Sequence, residues 1–266
     1  MASRSGDPEI EQADALVGAD DPSPVRIANA DGRSLFLLLG DHAGNAVPAS
    51  LGTLGLSGDE LSRHIALDIG IHELGAELAG RLDAPFIEQH YSRLVVDCNR
   101  APEAVDAVAA VSDGTAIPGN TQLSEADRAS RYSSIFEPYH AAIAKLLQDR
   151  DAAGLNTTIV SLHSFTPSLA GSARPWTIGV LHDAGNTRFA VALLRVLRDR
   201  EGEKIGDNAP YRMDATDYTV PRHAYPDRPY AELEVRQDLL ASPAGRQAIA
   251  DLLADALQTA NAAIAI

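Results

Sequence analysis

Thr158-Ile159-Val160-Ser161-Leu162-His163-Ser164-Phe165 is a β-prone apolar run that ends on an imidazole, followed by polar and aromatic residues. Such a composition fits a buried strand. A strand of this kind carries its histidine to the edge of a sheet, where the ring can serve as metal ligand or general base. A hydrogen-bonded structural histidine is the alternative reading. Two further strand ends carry matching chemistry, Leu39-Gly40-Asp41-His42-Ala43-Gly44-Asn45 and Glu232-Leu233-Glu234-Val235-Arg236. Three polar strand ends point to one hydrolytic site.

The elements around them alternate. Ser34–Gly40 reads as a strand leading into the His42 loop. Ser57-Gly58-Asp59-Glu60 is a capping-box pattern, predicting a helix to about Leu82 with Leu67, Ile71, Leu74 and Leu78 on one face. Phe86–Asn99 reads as one or two strands, and Ser112–Asn120 as a long loop. Ser124 caps a helix to about Arg150. Strands Thr157–His163 and Trp176–Leu181, a helix near Asn186–Arg200, strand Tyr230–Arg236 and a last helix from Ser242-Pro243 complete the order. Alternation with strands apolar on both faces predicts an α/β single-domain three-layer sandwich, a mainly parallel mixed sheet flanked by helices. Sites in such sheets form at the C-terminal ends of strands, where both histidine motifs fall.

The chain has 266 residues, 45% of them hydrophobic, enough for one substantial core. Residues 1–24 hold six acids against one base and read as a solvated, flexible tail, leaving 25–266 as the catalytic domain. The net charge of −15 argues against nucleic acid or an anionic membrane as partner. No apolar stretch is long enough for a membrane span, and the first residues lack signal-peptide order. The single cysteine, Cys98, follows an apolar run and reads as a buried inert thiol in a reducing, cytoplasmic setting.

Glu232 and Glu234 alternate with Leu233 and Val235, so both carboxylates share one strand face. A buried carboxylate must be paired, metal-bound or catalytic, and Arg236 on the same face offers the pairing alternative. For His42, a bond to Asp41 is the structural alternative. Asp97-Cys98-Asn99-Arg100 ends the strand read from Tyr91 that also carries Arg93, and its arginine can clamp a carboxylate with a planar fork. A salt-bridged strand end is the competing reading for Arg93. No Gly-x-Ser-x-Gly elbow is present to support a serine hydrolase.

Ile159–Phe165, Asp97-x-Asn99-Arg100 and Glu234-Val235-Arg236 resemble motifs of the zinc carboxypeptidase superfamily. The ordered set His42-Ala-Gly-Asn45, His64-Ile-Ala-Leu-Asp68-Ile-Gly70, Tyr91-Ser-Arg93, Asp97-Cys-Asn-Arg100, Ser112-Asp-Gly-Thr115, Ile117-Pro-Gly-Asn120 and Arg174-Pro-Trp176 more closely resembles the N-formylglutamate amidohydrolase family. The likeness covers roughly residues 35–255. It implies a zinc-exopeptidase-like fold and one zinc ion, or another divalent metal, with His42 and His163 as ligands. Glu234 would be the general base, and Arg100, with Asn99 and Arg93 or Arg174, would hold the substrate carboxylates. Asn45 stands where carboxypeptidases place a glutamate ligand, and a neutral amide is a poor substitute. Asp68 is the candidate third ligand, placed beside the apolar stripe of its expected helix with His64 one turn earlier; an exposed His64–Asp68 pair is the alternative. The implied reaction is N-formyl-L-glutamate plus water to formate and glutamate. From the residues alone the substrate is a small anionic N-acyl amino acid. A deacylase or carboxypeptidase-like peptidase of other specificity stays open. So does a non-catalytic binding protein, for which Asn45 is the main argument.

Overall fold

The computed structural model describes residues 16–264. In chain order the elements are β1 (Val25–Ala28), β2 (Phe36–Gly40), α1 (Gly58–Leu61), α2 (Ile71–Leu82) and β3 (Phe86–Gln89). A hairpin of β4 (Val111–Ser112) and β5 (Thr115–Ala116) precedes α3 (Glu125–Arg131), which runs through a π turn at Tyr132–Phe136 into α4 (Glu137–Ala152). Then come β6 (Thr158–Phe165), a hairpin of β7 (Ser168–Leu169) and β8 (Ser172–Ala173), β9 (Ile178–Leu181) and α5 (Arg188–Glu201). The chain ends with β10 (Ile205–Asp207), α6 (Thr219–Ala224), β11 (Tyr230–Arg236) and α7 (Pro243–Ile264).

The main sheet has the order β1-β3-β2-β6-β11-β9-β10, with β6 at its centre. The core strands β3, β2, β6 and β11 are parallel, whereas β1 pairs antiparallel to β3 and β9 antiparallel to β11. This is the mixed, helix-flanked single-domain α/β sheet that the alternation predicts.

Strand parity divides the core. Leu38, Val160, Leu162, Leu233 and Val235 face α2, α5 and α7 and belong to one apolar cluster. Each such leucine contributes roughly 1.5–3 kcal/mol by leaving water. Leu37, Leu39, Ile159 and Tyr230 face the other way, with Ile135, Tyr139 and Ile143 of the π turn and α4. On that second face β6 changes from Ile159 to Ser161 and His163, and β11 from Tyr230 to Glu232 and Glu234, toward the strand ends. The apolar layer thus gives way to a polar floor.

Three local expectations change. The helix expected over 57–82 is two helices, α1 and α2, separated by an irregular turn. Gly70 adopts φ +85° there, a conformation that ends helical winding and that glycine tolerates best. Asp68 therefore sits in a turn, its N–H donating to the His42 carbonyl at 2.8 Å. His64 is not its helical neighbour and lies 3.4 Å from Asp113 instead. Within 86–99 only β3 is a strand of the main sheet, and the rest is turns. Side chains intercept the backbone donors there: Gln89 accepts from Tyr91 N–H, Ser92 from Leu94 N–H and Asp97 from Asn99 N–H. Finally, Arg236 pairs with Asp238 at 2.8 Å and leaves the glutamates of β11 alone.

Residues 1–15 of the expected tail lie outside the described residues. Residues 16–24 rest on the body: Ser50 donates to the Leu16 carbonyl at 2.8 Å and Tyr91 to that of Pro22 at 2.7 Å. Among the described residues no helix is long and apolar enough to cross a membrane.

Candidate active site

β2 stops at Gly40, and the next turn holds His42 against the sheet edge. Gly44 permits that turn, since a Cβ there would lie 2.0 Å from the His90 carbonyl oxygen. His163 rises from β6 beside Glu234 of β11, its register partner. Asp68 arrives from the turn before α2. His42, Asp68 and His163 are 2%, 4% and 4% exposed, so all three are withdrawn from bulk water.

Their contacts form a pattern. His163 Nδ1 lies 2.9 Å from Asp68 Oδ2, and His42 Nδ1 lies 3.4 Å from the same oxygen. His42 Nδ1 is within ion-pair distance but has no hydrogen-bond partner among the described residues. The opposite ring nitrogens face other carboxylates. His42 Nε2 is 2.7 Å from Asp97 Oδ1, and His163 Nε2 is 3.4 Å from Asp41 Oδ2 and 3.2 Å from Ser161 Oγ. Two imidazoles thus turn one nitrogen toward a shared carboxylate and the other toward an orienting acid. One ligand atom from each of the three side chains lies within 4.8 Å of the others, a spacing that suits a small cation bound at about 2 Å. Nitrogen, nitrogen and carboxylate oxygen are donors that zinc accepts, and the acids behind the rings fix their tautomers. The three side chains fit a divalent metal.

The electrostatics follow from burial and charge. Burial opposes ionisation of Asp41, but the His163 and His42 imidazoles hold its carboxyl down at about 2. Burial likewise works against Asp97, and the charges of Arg93 and His42 outweigh it, holding this acid well below the carboxylate range. Burial pulls both imidazoles down, yet the neighbouring carboxylates raise them. Glu232 and Glu234 behave oppositely. Burial pushes them up to about 7 and about 8, and each keeps one carboxylate oxygen without a hydrogen-bond partner among the described residues.

His42, Asp68, Asp97, His163, Glu232 and Glu234 line a cleft of about 730 Å³, and Asp41 lies behind His163, outside that lining. Arg93 and Arg100 line it too, both already engaged. Arg93 donates to Asp97 at 2.7 and 3.1 Å and to Asp68 at 3.3 Å. Arg100 pairs with Asp106 at 3.1 Å and Asp217 at 3.3 Å. Asn99 uses its amide oxygen to accept from Tyr218 and Thr219 N–H. Arg174 lies behind the wall, donating to Tyr211 Oη at 3.0 Å and to Thr166. Asn45 stands apart, donating to the Leu61 carbonyl from a second surface hollow. Asp41, the expected bond partner of His42, faces His163 instead, and Asp97, which carried no assigned role in the sequence, takes the place behind His42. Tyr211 and Arg212 carried no local signal.

An enzyme that hydrolyses bonds at the strand ends of an α/β sheet is the class this defines. The family follows from the chain as a whole. The N-formylglutamate amidohydrolase sequence pattern matches residues 34–241, and the chain belongs to that family. A solved gene product of Agrobacterium tumefaciens is 34% identical, covering 94% of this chain and 100% of its own, with a TM-score of 0.89. The N-formylglutamate amidohydrolase of Ralstonia eutropha JMP134 is 16% identical with a TM-score of 0.63, covering 90% of this chain and 98% of its own, and shares the fold. A comparison with curated proteins gave no match.

Proposed function

We propose that this protein is a metal-dependent amidohydrolase that releases the acyl group of a small anionic N-acyl amino acid, N-formyl-L-glutamate foremost, giving formate and glutamate. The observation that carries the reading is the convergence of His42 Nδ1 and His163 Nδ1 on one Asp68 oxygen beside the unpaired carboxylate of Glu234.

His42, Asp68 and His163 would hold the ion, with zinc the best match to two nitrogens and one carboxylate. When bound, such an ion supplies Lewis acidity for the acyl carbonyl and for water. Asp97 and Asp41 keep the rings oriented from behind. Glu234 takes a proton from the attacking water as its oxygen adds to the acyl carbon, and delivers that proton to the leaving nitrogen as the C–N bond breaks. Burial makes Glu234 a strong base for a carboxylate, which suits both transfers. The cleft supplies positive groups at Arg93 and Arg100 for an anionic substrate, although both are partly neutralised. Buried Cys98 needs no oxidising compartment, in keeping with a cytoplasmic enzyme.

A serine mechanism has a superficial claim, because Ser161 Oγ, His163 and Asp68 lie in hydrogen-bonding sequence. Ser161 is 0% exposed and forms no part of the cleft wall, so its oxygen cannot reach a substrate. Asn45 lies outside the cluster and no longer argues for a non-catalytic scaffold.

The test is metal analysis of the purified protein with hydrolysis of N-formyl, N-acetyl and peptide substrates. Stoichiometric zinc and formate release from N-formyl-L-glutamate are expected. Full turnover by metal-free protein would sink the metal-dependent reading, and faster cleavage of acetyl or peptide substrates would move the specificity.

A further inference from the structure

The cleft presents an electrostatic difficulty to any dianionic substrate. Eight carboxylates line it against three arginines. Two of the three, Arg93 and Arg100, each contact two carboxylates of the protein itself. The third, Arg212, is exposed and makes no ion pair or side-chain hydrogen bond among the described residues. We propose that Arg212 is the specificity residue that recognises a substrate carboxylate, an inference that rests on the amidohydrolase reading above.

The loop that carries Arg212 is held in place from both sides. Gly179 of β9 and Gly206 of β10 let the backbone of residue 209 lie against the sheet: a Cβ at either would meet the Ala209 carbonyl oxygen at 2.2 or 2.3 Å. Asn208 closes the same end, its N–H donating to the Val180 carbonyl at 3.0 Å and its side chain accepting from His182 N–H at 3.1 Å. On one side of Arg212, Arg174 both donates to Tyr211 Oη and lies 4.8 Å over its ring. On the other, Met213 is buried in the core. The next anchor is Asp217, tied to Arg100. Arg212 thus projects from a short fixed span onto the cleft wall. Its guanidinium retains its full set of donors, in the planar fork that suits a carboxylate. Arg174, assigned to the substrate from its motif, acts through Tyr211 as a positioning residue for this span.

The experiment uses the full-length protein with zinc added and two readouts. The first is calorimetric binding of L-glutamate and L-glutamine to wild type, Arg212→Ala and Arg212→Lys. Arg212→Ala should weaken glutamate binding roughly tenfold or more, the worth of one charge-assisted contact, with Arg212→Lys recovering part of the loss. The second is the ratio of kcat/KM for N-formyl-L-glutamate to that for N-formyl-L-glutamine, which should fall by a similar factor in Arg212→Ala. Equal glutamate binding by wild type and Arg212→Ala, or no glutamate binding by wild type at all, overturns the proposal. Wild type that binds glutamate through Arg212 yet hydrolyses neither formyl substrate leaves the Arg212 assignment standing and defeats the functional reading instead.

Discussion

Asp97 Oδ1 lies 2.7 Å from His42 Nε2, on the side of the imidazole away from Asp68. The same carboxylate takes two hydrogen bonds from Arg93, so ring and guanidinium are locked together. An acid in this position fixes which nitrogen of the histidine is free to donate its lone pair. Asp97→Asn keeps the shape but removes the charge. It should weaken zinc binding about 10–100-fold, as read by competition with a chromophoric chelator. Unchanged affinity would mean that Asp97 serves only Arg93.

Glu232 and Glu234 pose a choice between two buried acids on one strand face. Glu234 lies in register with His163, and Glu232 with Ser161, one step deeper in the sheet. On the proposed mechanism the base is the outer of the two, Glu234. Glu234→Gln should lower kcat by about 10²–10⁴ while zinc content stays stoichiometric. Glu232→Gln should cost less. Steady-state kinetics on both variants decide the matter, and the reverse order would transfer the role to Glu232.

Arg131 holds the site from outside it. Its side chain is 1% exposed and donates to the carbonyls of Val95 and Gly119 and to Asn120 Oδ1 at 2.9, 3.0 and 2.6 Å. Burial brings its pKa down to about 10. No carboxylate hydrogen-bonds to it among the described residues; two backbone carbonyls and one side-chain amide oxygen take that place. Arg131 therefore staples the turn bearing Arg93, Asp97 and Arg100 to the Pro118–Asn120 turn. Arg131→Leu orphans three acceptors and should cost roughly 3–5 kcal/mol in urea unfolding. A loss below about 1 kcal/mol would show that water replaces the guanidinium without penalty.

What the sequence revealed and concealed divides along a physical line. Continuous β-prone runs made β2 and β6 readable and alternation made β11 readable; parity along the strand then places His163 and Glu234 on one face, and His42 follows in the turn after β2. The turns at 62–70 and 91–100 were not readable as turns. Their apolar residues, among them Ile65, Leu94 and Val95, are buried as in regular elements, while Gln89, Ser92 and Asp97 satisfy the backbone locally. The helical count that put Asp68 beside an apolar stripe fails, because Asp68 sits in a turn, yet that turn brings it to both imidazoles. The arginines show a different limit. Arg100 is bound by Asp217, 117 positions away, and no local pattern announces such a partner or its lack at Arg212.

His140 and His223 supply a pH dependence. His140 Nε2 lies 3.0 Å from the Cys98 carbonyl, which can only accept, so this nitrogen carries the proton. His140 Nδ1 then accepts from His223 Nε2 at 3.0 Å. Both rings are neutral in this arrangement. Burial holds His140 down at about 4 and, with the charges of His140 and Arg222, His223 at about 3. In the unfolded chain both titrate near 6.5. As pH falls from about 6.5 toward 4, the unfolded chain takes up protons that the folded one refuses, so this pair removes stability on acidification. His223→Gln deletes one of the two uptakes. Between pH 7 and 5 the variant should lose about 1–2 kcal/mol less than wild type, measured by urea unfolding at both values. Parallel pH profiles for the two proteins would show that His223 titrates alike in the folded and the unfolded chain.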